Sequence, residues 1–495
     1  MQKKFLTNLG LILSLNLLIK PIYIFGIEKA VQEQVGTADY GIYFAILNFS
    51  FLLTIVLDFG ITNFNNKNIA QNSHLFTKHF SSLFTLKLIL AVIYIIIVVV
   101  MGLVVGYDSR LMKLLLIQGF NMFLVFFINY LRSNLAALHL FKTDGIISVM
   151  DRSILIVAGI FLLNSGVLYS ENGIMYFVYM QTCSLLLTTF IAFFIIVKKT
   201  HSFRFSWNWP FSLMILKKSF PFAILTLLMS FYNRIDSVMI ERMLPDGDVQ
   251  SGIYAQGFRI LDATNMIAFL VAGVLLPVFS RMLKQNESVE SLVKLISTLL
   301  LTPAIVIGVG CAFYNTELIG YLYYKGIDKI INAEELATAT LHLRESSKIF
   351  SLLMLSFIAV STSYIYGTLL TANGNMRQMN YMAASGMILN IVFNYILIRQ
   401  FEAYGSSISS MTTQFLTAII QVAIAQKIFK FKINYRLINM FITYLVGVIA
   451  INYGTKMLPF DWMVSFAIMV ISCGLWAFIT GIVSIKSMFR LLKYG

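Results

Sequence analysis

Long apolar runs recur along the whole chain and alternate with short polar segments. A run of about 20 apolar residues is too long for a strand and allows a helix to cross about 30 Å of hydrocarbon. The pattern therefore predicts fourteen transmembrane helices, at residues 5–25, 40–58, 80–105, 111–131, 145–164, 173–197, 217–241, 250–280, 292–313, 348–371, 378–398, 404–426, 433–454 and 461–485.

Composition agrees with this pattern. Hydrophobic residues make up 58% of the 495 residues and charged residues only 12%, whereas soluble proteins contain about 25% charged residues. These values exclude soluble globular, disordered, coiled-coil and disulfide-scaffold proteins. The three cysteines lie within apolar runs without metal-ligand spacing, so we interpret them as packing residues. The predicted fold class is an all-α polytopic membrane protein.

Charge predicts the orientation of the chain in the membrane. If the N-terminus is cytoplasmic, 24 of the 37 Lys and Arg residues fall in cytoplasmic loops and 11 in loops on the opposite side. Basic residues are retained in cytoplasmic loops, so we expect both termini to be cytoplasmic. The same rule accounts for the net charge of +15 without a nucleic-acid partner.

An internal repeat divides the chain. The tripeptide Gly-Ile-Tyr opens the second span at 41–43 and the eighth span at 252–254, and a Lys-Lys pair stands at the start of the first and seventh spans. We therefore predict a duplicated six-helix unit with a pathway between the halves. The predicted domains are an N-terminal lobe at 1–197, a cytoplasmic interfacial linker at 198–216, a C-terminal lobe at 217–430, and helices 13 and 14 at 431–495.

Polar side chains form stripes on several predicted spans. Asn129 and Arg132 share a face of span four, Gln414 belongs to a stripe on span twelve, and Lys20 shares a face of span one with Asn16. Polar residues within spans either line a hydrated cavity or form hydrogen bonds between packed helices. Both interpretations stay open for each stripe.

Charged residues are densest in spans seven and eight. Arg234, Asp236, Arg259 and Asp262 lie on either side of a loop near residue 247, so Asp236 and Arg259 would face each other in an antiparallel hairpin. Because isolated charges in the membrane are costly, we expect this pair, with Arg259 and Asp262 as the alternative. A substrate contact and a structural ion pair are equally compatible with the pattern.

Enzyme signatures are weak. His139 and Asp144 have the spacing of an acyltransferase motif, but one chance match is expected, and no glycine-rich phosphate loop or nucleotide motor is present. We therefore predict a protein that is not an enzyme and needs no cofactor or metal. Its energy would come from an ion gradient, the membrane potential or substrate asymmetry.

Several segments resemble bacterial polysaccharide flippases of the O-antigen type, members of the multidrug/oligosaccharidyl-lipid/polysaccharide (MOP) exporter superfamily. Asp58-Phe59-Gly60 matches the family's "DxG" at the end of span two, and Arg234 and Asp236 match its "RID" stretch. The longer similar segments are "VGTADYGIYFAILNFSFLLTIVLDFGITNFNNKNIAQ", "YLRSNLAALHLFKTDGIISVMDRSIL", "KKSFPFAILTLLMSFYNRIDSVMI" and "SGIYAQGFRILDATNMIAFLVAGVLLPVFSRM".

The resemblance implies a fold of two six-helix lobes. It also implies that the protein moves an undecaprenyl-pyrophosphate-linked oligosaccharide from the inner to the outer leaflet by alternating access, for the synthesis of polysaccharides such as lipopolysaccharide. The implied location is the bacterial inner membrane, the implied partners are a polysaccharide polymerase and ligase, and the implied coupling ion is H⁺ or Na⁺. Cations in the cavity would meet the pyrophosphate. The candidate contacts are Arg132, Arg234 and Arg259, with Lys20, Asn129 and Gln414, and with Asp236 as the balancing acid.

Three other functions stay open. An ion-coupled multidrug exporter would need a carboxylate in the cavity, and no isolated one is visible in the predicted spans. A lipid II flippase differs only in the glycan of its substrate. A membrane-embedded polymerase or ligase would need a large outer loop with basic residues, whereas the loop at 314–347 has mixed charge.

Overall fold

The computed structural model describes residues 14–62, 76–137, 140–200, 208–327, 331–432 and 434–483, and the regular secondary structure of this part is helical throughout. We number the helices that overlap the predicted spans. They are α1 (14–35), α2 (Thr37–Leu52), α3 (Phe76–Val105), α4 (Ser109–Ala137), α5 (Phe141–Asn164), α6 (Gly173–Thr200), α7 (Trp209–Met243), α8 (Gly247–Lys284), α9 (Glu290–Phe313), α10 (Ala333–Ala372), α11 (376–401), α12 (403–429), α13 (Tyr435–Lys456) and α14 (Trp462–Ile479).

The polytopic helical fold is confirmed. In the described part of the chain, eleven helices are long and apolar enough to cross a membrane. One of them, Met376–Phe429, is divided into α11 and α12 by Glu402, whose backbone is not helical (φ 52°, ψ −139°). The beginning of the first predicted span and the middle of the predicted linker, 201–207, lie outside the described residues.

Two helices begin earlier than their apolar runs. The Asn332 side chain accepts a hydrogen bond from the Glu334 N–H, and α10 begins at the next residue, Ala333, within a polar sequence. Asn208 caps α7 by accepting from the Phe211 N–H, and α7 begins within the predicted linker. In both cases a capping side chain satisfies an end N–H group that hydropathy does not register.

The chain forms two compact units, Met1–Gly252 and Ile253–Gly495. The first has an aromatic core in which Phe80 stacks on Tyr130 and Phe84 packs edge-on against Phe127. In the second, α13 and α14 pack together and against α9, around Tyr444 and Met469. The boundary falls inside α8, and the lobes expected from the repeat stay a prediction.

The two glycines of the repeated tripeptide allow a close backbone approach within the first unit. A Cβ atom on Gly41 would lie 1.9 Å from the Asp248 carbonyl oxygen, and one on Gly252 would lie 2.0 Å from the Thr37 carbonyl oxygen. The Ser251 hydroxyl donates to the Gly41 carbonyl at 3.1 Å. The beginnings of α2 and α8 therefore touch through positions that only glycine can occupy.

We expect Gly41→Ala to destabilise the protein by about 1–3 kcal/mol, because its methyl group would overlap backbone atoms. Gly119→Ala in α4 is the matched control, since its Cβ would meet side-chain atoms only at ordinary distances of 3.5 Å or more. Thermal unfolding in detergent measures the difference. Equal melting temperatures for the two variants would contradict the close approach.

Candidate functional site

Two arginines from two helices lie within electrostatic range of a lysine from a third helix in the first unit. Lys20 of α1 is within electrostatic range of Arg152 of α5 and Arg132 of α4, and of one acid, Asp151. Lys20 has no carboxylate partner at ion-pair distance among the described residues. We call Lys20, Arg132 and Arg152 the cation cluster.

Each arginine of the cluster is held by an acid that is more buried than the arginine. Arg132 Nε donates to Asp144 Oδ1 at 2.7 Å, with side chains 26% and 10% exposed. Arg152 Nε lies 3.4 Å from Asp151 Oδ2, with side chains 32% and 18% exposed. The cations are thus the more accessible partners, which is the arrangement that an incoming anion requires.

Arg152 is the member of the cluster that the sequence pattern did not single out. It lies well inside the span Lys142–Asn164 and within the apolar run predicted at 145–164. The pair Asp151-Arg152 interrupts an apolar run, and that interruption was the available signal. Charged residues inside spans are functional candidates by default.

Aromatic and amide side chains surround Arg152. Its guanidinium carbon lies 4.6 Å from the centroid of the Tyr23 ring, and Tyr23 begins a π-helical turn in α1, Tyr23–Glu28. The Gln181 amide of α6 donates to the hydroxyl oxygens of Tyr23 at 3.4 Å and Tyr43 at 2.9 Å. Helices α1, α2, α5 and α6 therefore meet around this guanidinium.

Glu28 is a carboxylate that the sequence analysis missed. It is 4% exposed, accepts a hydrogen bond from the Tyr40 hydroxyl at 3.0 Å, and lies within electrostatic range of Arg152. The first predicted span ends at residue 25, whereas α1 continues to residue 35. A helical extension past the apolar run therefore brings an acid into the bundle.

Arg234 lies on α7 against α2. Its Nη1 donates to Asn48 Oδ1 at 3.5 Å, and its guanidinium carbon lies 5.2 Å from the centroid of the Phe51 ring. The Asn48 amide also donates to the Ser237 hydroxyl, at 2.9 Å. Asn48 and Ser237 are buried, so this arginine sits beside a polar contact that joins α2 to α7.

The other predicted site residues occupy different environments. Asp236 is buried in α7, and Arg259 is half-buried in α8. Asn129 is exposed on α4, whereas Gln414 is buried in α12. The pairing of Asp236 with Arg259 and the substrate contacts assigned to these residues stay predictions.

Hydrogen bonds join the polar faces of α11 and α12 in the second unit. The Ser406 hydroxyl donates to Asn394 Oδ1 at 2.7 Å, and the Ser409 hydroxyl donates to the Asn390 carbonyl at 3.1 Å. All four residues are buried. These members of the polar stripes act as contacts between packed helices.

A buried ion pair lies at the end of span two. Lys87 of α3 contacts the Asp58 carboxylate and donates to the Leu57 carbonyl at 2.9 Å, and its side chain is only 3% exposed. Asp58 also borders a cleft of about 180 Å³ together with Phe126 and Phe222. Asp58, the first residue of the "DxG" stretch, is therefore tied to α3.

The fold is similar to those of solved transporter structures. One is the lipid II flippase MurJ in an inward closed conformation, with a TM-score of 0.68, 14% identity, and coverage of 97% of this chain and 98% of that chain. A second is an inward-facing multidrug resistance MATE family transporter of the MOP superfamily (TM-score 0.62, 13% identity, 82% and 94% coverage). A third is a MOP superfamily transporter from Pyrococcus furiosus (0.60, 14%, 86% and 95%). The chain therefore has the fold of MOP superfamily flippases and transporters.

Sequence comparison narrows this class to a family. Residues 7–283 match the model of a family described as polysaccharide biosynthesis protein, and the chain belongs to that family. A curated relative, an uncharacterized membrane protein of Methanocaldococcus jannaschii, is 24% identical over 213 residues, which are 43% of this chain and 46% of that protein. The chain thus spans about half the length of the curated relative that it matches. The resemblance to the polysaccharide branch of the superfamily is confirmed.

We expect Lys87→Met to destabilise the protein by about 3–5 kcal/mol, because it leaves the Asp58 carboxylate, which is only 17% exposed, without its ion-pair partner. The double variant Asp58→Asn/Lys87→Met should recover most of this loss. Thermal unfolding in detergent checks both.

The control for this prediction is Lys294→Met. Lys294 pairs with Glu290 at 2.6 Å, but both side chains are about one-third exposed (35% and 26%), so the expected change is within about 1 kcal/mol. Equal losses of stability in Lys87→Met and Lys294→Met would show that the ion pair of Lys87 with Asp58 stabilises the protein no more than an exposed pair.

Proposed function

We propose that the protein moves an undecaprenyl-pyrophosphate-linked oligosaccharide from the inner to the outer leaflet of the bacterial cytoplasmic membrane by alternating access. The product would feed the synthesis of a cell-surface polysaccharide. Both termini would be cytoplasmic, and a polysaccharide polymerase and ligase would take the exported substrate. The energy would come from the membrane potential or from an H⁺ or Na⁺ gradient.

The cation cluster is the observation that carries this proposal. Lys20, Arg132 and Arg152 come from three different helices, and their arginines are more exposed than the acids that hold them. A diphosphate presents several acceptor oxygens and more than one negative charge, which suits several cationic donors together. Membership in the polysaccharide biosynthesis family supports the choice of a lipid-linked sugar as cargo.

The cluster binds the pyrophosphate in this proposal, and the remaining candidates act elsewhere on the path. Arg234 and Arg259 would meet the anion at other stages, with Asp236 balancing their charge. Asn129 and Gln414 would contact the glycan through their amide groups. Because the cluster presents cations, it is a poor site for the cationic drugs that multidrug exporters carry.

Leaflet-specific labelling in proteoliposomes tests the function. We expect protein-dependent movement of a tagged undecaprenyl-pyrophosphate oligosaccharide, and no movement of a cationic dye. Lipid II serves as the comparison substrate, and preferential movement of lipid II would reassign the protein to peptidoglycan synthesis. Movement of the dye alone, with or without ion gradients, would overturn the proposal in favour of drug export.

We expect Arg152→Gln and Lys20→Gln each to slow this movement by about tenfold or more, the size of one charge-assisted hydrogen bond. Arg110→Gln is the matched control, because Arg110 is 48% exposed and pairs with Asp39 away from the cluster. Initial rates at equal protein density give the comparison. If the control slows transport as much as the cluster variants, the cluster has no special role.

A further inference from the structure

The Arg152 guanidinium lies over the Tyr23 ring. The guanidinium carbon lies 4.6 Å from the ring centroid, and Tyr23 is 3% exposed. A cation over a buried aromatic face is stabilised more strongly than one at an exposed site, because water does not screen the contact. The ring therefore stabilises a positive charge that would be costly inside a span.

An aromatic partner and a carboxylate leave different numbers of guanidinium N–H donors available to a ligand. A carboxylate takes up N–H donors of the guanidinium as hydrogen-bond partners, whereas an aromatic ring stabilises the charge without a conventional hydrogen-bond acceptor. In the described part of the chain, Asp151 is the one carboxylate ion-paired with Arg152, and it lies nearest to Nε. The side chain is 32% exposed, so its charge is stabilised while part of the side chain stays accessible.

Neighbouring helices fix the position of the ring. Gln181 of α6 donates to the Tyr23 hydroxyl oxygen and, at 2.9 Å, to that of Tyr43 of α2. Tyr43 is itself buried and packs edge-on against Phe177 at 5.6 Å. The π-helical turn that begins at Tyr23 buries Tyr23, Ile27 and Glu28 together, and such turns are frequent at functional sites.

We infer that Tyr23 is a positioning residue that holds Arg152 in the orientation in which it binds an anion, and that Gln181 fixes Tyr23. This inference rests on the proposed function, since it assigns the anion to the cation cluster. It predicts that the ring is required, because the ring makes the contact with the guanidinium. The hydroxyl has only an indirect effect, through Gln181.

A double-mutant cycle on the full-length protein in nanodiscs tests this, with undecaprenyl pyrophosphate as the probe. We expect Tyr23→Leu to weaken binding about tenfold, the size of a desolvated cation–π contact. Tyr23→Phe and Gln181→Leu should each weaken it by only about threefold. Tyr23→Leu should have no further effect in an Arg152→Gln background, because the guanidinium that Tyr23 holds is then absent.

The control is Tyr107→Leu, because the Tyr107 ring lies 3.9 Å below another guanidinium, that of Arg242. Wild-type affinity in this control, together with the cycle above, supports the inference. Unchanged binding in Tyr23→Leu, or an equal loss with and without Arg152, would overturn it, since Tyr23 would then act independently of the arginine.

A second measurement separates this inference from the proposed function. Phenylglyoxal modifies arginines, and mass spectrometry can follow its reaction with Arg152 without any substrate. We expect about threefold faster modification of Arg152 in Tyr23→Leu than in the wild type, and wild-type rates in Tyr23→Phe. If the wild type does not bind undecaprenyl pyrophosphate, the anion site of the proposed function is wrong, and the modification rates alone decide the role of Tyr23. Equal rates of Arg152 modification in the wild type and Tyr23→Leu would then overturn that role.

Discussion

The energetic cost of placing charge inside a membrane constrains this structure more than any other factor. A charge at the centre of the bilayer costs about 2.5–3.5 kcal/mol on insertion scales, and helices α1, α3, α4, α5 and α7 each bring at least one cation into the first unit. The described contacts of these cations reduce that cost. Lys87, Arg132 and Arg152 each pair with a carboxylate, and Arg152 also lies over the Tyr23 ring. These helices therefore pack so that the described cations meet side chains that stabilise their charge.

Exposure distinguishes Lys87 from the arginines that we propose as anion ligands. Lys87 is 3% exposed, and its ion pair with Asp58 ties the end of span two to α3. The arginines of the cation cluster are about one-quarter to one-third exposed, and the acids beside them are more deeply buried. In the proposed function, these acids would stabilise each arginine in the empty protein, and the accessible part of each arginine would bind a phosphate.

Hydropathy and charge predicted the class of fold because both depend on sums over about 20 residues, which single polar positions hardly change. The fourteen apolar runs are of this kind. Pairings between distant helices depend on register and rotation, which periodicity does not fix. The contacts of Tyr23 with Arg152 and Gln181 therefore cannot be predicted from the sequence. The sequence indicates Lys20 and Arg132 individually, but only the packing of α1, α4 and α5 brings both arginines of the cluster within electrostatic range of Lys20.

Cryo-electron microscopy of the protein with undecaprenyl pyrophosphate tests whether the cation cluster is the anion site. We expect diphosphate density within hydrogen-bond distance of Lys20 Nζ and the Arg152 guanidinium, with the guanidinium still over the Tyr23 ring. Diphosphate density elsewhere, with Lys20 and Arg152 uncontacted, would contradict it.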